Sequence, residues 1–157
     1  MTRVGVTGHQ KAPLSVWKYL GQTLPVLLRD ASDLVGVTSL AAGADQEFAD
    51  LVIRLGGDLL VVVPSDNYVA SFERSTDRTR FEVLLNRALS TERLDYDEPS
   101  EDAFLAAGRR VVDLCDLLVA VWDGLPAQGK GGTADVVAYA RQQGKPVEVI
   151  WPAGVKR

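Results

Sequence analysis

The chain has 157 residues, 46% of them hydrophobic, with 17 basic against 21 acidic side chains and a formal charge of −4. That length and balance suit one globular domain over residues 1–157 and exclude global disorder. A net negative charge without any Lys/Arg run argues against nucleic acid as a partner. A single cysteine, Cys115, excludes an internal disulfide framework and a Cys-rich zinc site. One histidine, His9, leaves little for a metal centre, and neither metal nor cofactor is expected. Met1-Thr2-Arg3 runs directly into strand-like sequence with no signal-peptide layout, and no apolar run has the length of a membrane span, so a cytoplasmic location is expected.

Short apolar runs alternate with longer amphipathic segments, the pattern of βαβ units. Residues 3–7 (RVGVT) read as the first strand, ending at Gly8. Residues 13–30 are helical in period, and Pro25 inside them predicts a kink or two abutting helices. A second strand is expected over 34–40, followed by small residues and a helix that Gly56-Gly57 stops. Residues 58–63 (DLLVVV) are apolar nearly throughout, as a strand buried on both faces requires. A polar helix over 75–89, an acidic loop, a helix over 103–115 and a buried strand over 116–122 follow. The chain closes with a glycine-rich loop, a helix over 133–143 and a strand over 146–151. The expected architecture is α/β: a single three-layer Rossmann-like domain with a mainly parallel sheet of five or slightly more strands.

Right-handed crossovers place every strand-to-helix loop on one edge of such a sheet, where ligands bind. Three of these loops share a composition. Thr7-Gly8-His9, Ala42-Gly43-Ala44-Asp45 and Gly131-Gly132-Thr133 all replace bulk with glycine, alanine or hydroxyl. Adjacent glycines admit a ligand close to the backbone, and the free amides of a helix that begins there favour a phosphate or carboxylate. Thr133 adds a hydroxyl or caps its helix, and Asp45 is a ligand contact or a first-turn partner of the helix dipole. The loop is not a Walker A motif, because no Gly-Lys-Ser/Thr stands at the required spacing. Arg74, Arg78 and Arg80 cluster after the third strand and are candidates for a phosphate clamp or a solvated face.

In this order, Thr7-Gly8-His9, Leu40-Ala41-Ala42-Gly43-Ala44-Asp45 and Gly131-Gly132-Thr133-Ala134-Asp135 resemble the SLOG superfamily. That group takes in the LOG cytokinin-activating proteins, DprA and YpsA-like proteins. The resemblance runs from the first strand to the last and implies a nucleotide-type ligand at the carboxyl edge, strand order 3-2-1-4-5 and a homodimer. It implies ligand contacts at Thr7, Gly8, His9, Ala42, Gly43, Asp45, Arg78, Gly131, Gly132 and Thr133. It also carries Asp135 onto the position of the catalytic glutamate of LOG enzymes. The proline-led start of the LOG motif is missing, the acid is one methylene shorter, and the LOG arginine motif has only loose stand-ins in Arg78 and Arg80.

The function expected is therefore sensor-like binding of a nucleotide-derived small molecule, a nucleoside phosphate or an ADP-ribose-like ligand. The alternative is a LOG-type phosphoribohydrolase in which Asp135 assists cleavage of the N-glycosidic bond of a nucleoside 5′-monophosphate. A DprA-like nucleic-acid binder ranks last, on the acidic balance and the absence of a basic stripe.

Overall fold

The computed structural model describes residues 1–126 and 132–157. Strands and helices alternate along it: β1 (Thr2–Gly8), α1 (Leu14–Leu27), β2 (Leu34–Thr38), α2 (Ala44–Arg54), β3 (Asp58–Val63), α3 (Ser75–Asn86), β4 (Ser90–Arg93), α4 (Glu101–Leu114), β5 (Leu117–Val121), α5 (Thr133–Gln142) and β6 (Val147–Val149). Six strands form one sheet in the order β4-β3-β2-β1-β5-β6. Every neighbouring pair is parallel. The expected order is present as β3-β2-β1-β5-β6, and β4 extends it by one edge strand.

That extra strand has no apolar signature because it is an edge. Ser90-Thr91-Glu92-Arg93 is mostly exposed and pairs only with β3. The preceding helix ends at Asn86, three residues short of the expected Leu89, because the Leu89 amide turns to the carbonyl of Leu59 at 2.8 Å and opens the β3–β4 ladder. Pro25 does not split its helix in two. It lies in the last turn of a continuous α1, where the amide it lacks costs a single helical bond.

The sheet is covered on both faces, which is why its central strands read as unbroken apolar runs. On one side Val4, Val6 and Val61 pack with Leu20 and Leu24 of α1, Phe48 of α2 and Phe81 of α3. On the other, Val37, Val62 and Leu118 pack with Val111 and Val112 of α4 and Val136 of α5. The chain moves outward from β1 to β4 and then returns to the far side of β1 as β5. The loops after β1 and β5 therefore diverge, and a crevice opens at their carboxyl ends.

Candidate functional site

A cavity of about 280 Å³ occupies that crevice. Thr7, Gly8 and His9 reach it from β1, Ala42 and Asp45 from the β2–α2 turn, and Gly132 and Thr133 from the start of α5. Tyr68, Phe72 and Phe104 form an apolar wall, and Arg157 closes one side. Tyr68 belongs to a short 3-10 turn over Tyr68–Ser71 and meets Phe72 and Phe104 edge-on.

The first loop is fixed by its own backbone. The His9 amide donates to the Val121 carbonyl at 3.2 Å, and the His9 carbonyl accepts the Ala44 amide at 3.1 Å, so β1, β5 and α2 are tied together at the cavity floor. Gly43 caps α2 in the left-handed region at φ 80°, and a Cβ there would lie 2.2 Å from the Gln10 carbonyl oxygen. Only glycine fits. The neighbouring Leu40 is also left-handed, at φ 56°, which is strain held at the edge of the site.

Asp45 is buried in the first turn of α2. Its Oδ2 accepts the amides of Ser39 at 3.2 Å and Ala41 at 3.4 Å. Burial pushes its pKa up to about 6, against the opposing pull of the Ala41 amide, the Thr38 hydroxyl and the Ser39 amide. Burial likewise drives the Tyr68 phenol well above its usual range, and the Asp45 charge adds to the effect.

On the other side of the crevice, His9, Asp123 and Arg157 form a closed cluster. Asp123 follows β5, and its Oδ1 accepts the Leu125 amide at 3.0 Å. His9 Nε2 lies 3.2 Å from Asp123 Oδ1, and Arg157 Nε lies 3.3 Å from Asp123 Oδ2. Arg157 completes the ring at His9 Nδ1, 3.1 Å away. A guanidinium only donates, so Nδ1 accepts from Arg157, while Nε2 faces both the Asp123 carboxylate and, at 3.3 Å, the Asp123 backbone amide. Burial lowers the pKa of His9; the Asp123 hydrogen bond opposes this and the Arg157 charge adds to it. Burial works to raise Asp123, but the Leu125 amide, His9 and Arg157 together hold it below the usual carboxylate value. Trp151 meets the His9 ring edge-on at 5.5 Å.

The amino end of α5 opens on the same cavity. Gly132 is its N-cap and makes no side-chain capping bond, while Thr133 is buried. Gly131 lies outside the described residues. Asp135, in the first turn of α5, is exposed and is not among the residues that line the cavity. Gly43 borders a neighbouring groove with Arg74 and Arg80. The arginines after β3 are engaged within the chain. Arg78 donates to the Phe72 carbonyl at 3.2 Å, Arg74 grips Asp77 with two nitrogens, and Arg80 pairs with Glu47 and Asp50. Among the described residues no three His, Cys, Asp or Glu side chains are grouped as a metal would need, and no helix is long and apolar enough to cross a membrane.

Sequence reasoning missed Asp123, Arg157 and the aromatic wall. Asp123 carried a signal, since it is an acid at the end of a buried strand and ahead of a glycine. Arg157 carried none, because only the path of the chain after β6 brings it across the sheet edge.

No protein family and no curated protein matches the sequence. Solved structures do match. DNA processing protein A (DprA) from Streptococcus pneumoniae superposes with a TM-score of 0.68 at 19% identity, over 95% of this chain and 50% of that one. DprA from Helicobacter pylori, described for its single-stranded DNA binding mode, gives 0.70 at 17% identity, over 94% of this chain and 64% of that one. A structural-genomics target designated TM1055 gives 0.60 at 17% identity, over 94% and 72%. The chain thus spans between half and two thirds of the length of the two DprA chains.

These matches correct one expectation. Setting nucleic acid aside as a partner does not stand, because a chain of the same fold binds single-stranded DNA. The error lay in arguing from whole-chain charge. Phosphates are also held by helix amino ends and backbone amides, which leave no trace in a net charge of −4. At the level of fold, the chain is a Rossmann-like α/β protein that shares its architecture with the DprA and TM1055 structures.

Proposed function

We propose that the cavity binds a nucleotide-derived ligand, a nucleoside phosphate or an ADP-ribose-like molecule. The observation that carries this is the convergence of Thr7, Gly132, Thr133 and the open end of α5 on one cavity at the β1/β5 crevice. Hydroxyls and free helix amides suit a phosphate, and the wall of Tyr68, Phe72 and Phe104 suits the flat face of a base. Calorimetry against AMP, ADP-ribose, NAD and cyclic ADP-ribose tests it, with Gly132→Asp as the control that sets a carboxylate against the α5 amides. Binding by wild type that the variant loses supports the proposal, and silence across the panel overturns it.

A hydrolytic form of the same reading needs a carboxylate at the sugar. Asp45 lines the cavity and titrates near 6, within the range useful to a general acid or base. Asp135 is the residue that the LOG resemblance nominates. Release of free base from AMP, compared across wild type, Asp45→Asn and Asp135→Ala, separates the two acids.

A second reading is favoured by the likeness to the Helicobacter DprA: the same edge takes one nucleotide of a single strand. Competition between AMP and a short oligothymidylate for one site supports it, and oligonucleotide binding untouched by Gly132→Asp places the strand elsewhere.

A further inference from the structure

The segment after β6 does more than end the sheet. Ile150 pairs its amide with the Ala120 carbonyl at 2.8 Å, and the Trp151 indole donates to the Val155 carbonyl at 2.8 Å, which folds the following residues back over the carboxyl edge. Arg157 is thereby delivered to the cavity wall. Asp123, its side chain only 5% exposed, is ion-paired with the guanidinium Nε at 3.3 Å, its Oδ2 left without a hydrogen-bond partner among the described residues, and His9 Nδ1 receives one terminal nitrogen. The second terminal nitrogen has no partner among the described residues. An arginine whose sole role was to neutralise Asp123 would present both donors of its fork to the carboxylate. This one divides its contacts between Asp123 and His9, and it lines a cavity that the amino end of α5 also lines.

Resting on the nucleotide reading above, we propose that Arg157 is the anion-recognising side chain of this cavity, oriented by Asp123 and His9 to pair with a phosphate of the ligand. A planar guanidinium held on one edge offers its remaining donors in a fixed direction, which favours phosphate oxygens over neutral hydroxyls. The binding site is then completed by the segment after β6 as well as by the three strand-to-helix loops. Selectivity follows: the cavity distinguishes a nucleotide from its nucleoside through Arg157.

The test compares AMP, adenosine and inorganic phosphate by calorimetry on wild type, Arg157→Gln and Arg157→Lys, with circular dichroism and apo melting temperatures confirming that each variant is folded. Loss of the charge-assisted bond is expected to weaken AMP about ten- to a hundredfold, with adenosine changed little and Arg157→Lys intermediate. If Arg157→Gln lowers the apo melting temperature but leaves the AMP-to-adenosine ratio intact, Arg157 is a structural clasp and the proposal falls while the nucleotide reading stands. If AMP does not bind wild type but phosphate does, and the Gln variant loses it, the anion role stands and the nucleotide reading falls. If neither AMP nor phosphate binds wild type, both fall.

Discussion

A Cβ on Gly8 would lie 2.5 Å from the Cβ of Ala44, where the end of β1 meets the first residue of α2. The obstruction is backbone-anchored on both sides, since Val121 stands at 2.9 Å across the same glycine. Gly8→Ala is therefore predicted to cost about 1–3 kcal/mol, the range for overpacking a tight contact. Urea denaturation checks it, and a variant as stable as wild type would show that α2 is free to shift at the cavity floor.

Asp45 makes stability depend on pH in a defined direction. Its folded pKa of about 6 stands above the unfolded value of 3.8, so the native state keeps a proton that the unfolded chain releases between those values. The contribution of this group to stability thus falls as pH rises from about 4 to about 6, by on the order of 3 kcal/mol in all. Asp45→Asn keeps an oxygen for the Ser39 and Ala41 amides and removes the titration. The variant is predicted to gain on wild type between pH 4.5 and pH 7.5, and denaturant midpoints at the two pH values measure the gain. A difference that is flat with pH contradicts the assignment.

His9 acts in the opposite sense. Burial holds its pKa below 6.5, so the unfolded chain takes up a proton before the folded one does. Its contribution is present above pH 6.5 and is lost as the pH falls below that value. Because it is the sole histidine in the chain, one ring titrates in an NMR experiment. The predicted midpoint lies below 6.5; a midpoint above 6.5 would mean that the Asp123 charge outweighs burial.

Removing Asp123 takes the carboxylate from beside His9 Nε2 and breaks the ion pair with Arg157 Nε. Asp123→Ala is predicted to destabilise the fold by about 1–3 kcal/mol, the cost of unsatisfied buried polar groups. It is also predicted to raise the mobility of residues 151–157, which amide exchange reads directly.

Most of the sheet was legible because β1, β2, β3 and β5 are buried on both faces and must be apolar along their length. β4 was not, since Ser90, Thr91 and Arg93 of this edge strand face solvent and carry no periodic signal. The loops at the cavity were legible for a different reason. Gly8 and Gly43 stand where a Cβ collides with Ala44 or Gln10, and steric need of that kind marks the sequence directly. The His9–Asp123–Arg157 cluster joins residues 114 and 148 positions apart from His9, and no local pattern encodes such a contact. Partner class was misjudged on charge because a net total discards position.

The central claim, a nucleotide-derived ligand in the β1/β5 crevice, is tested most directly by titrating AMP into isotope-labelled protein and following backbone amide shifts. The account predicts that the shifts concentrate on Thr7–His9, Ala41–Asp45 and Gly132–Ala134, with Arg157 among them. Shifts confined to the neighbouring groove of Lys11, Glu73 and Arg74, or none at saturating AMP, would contradict it.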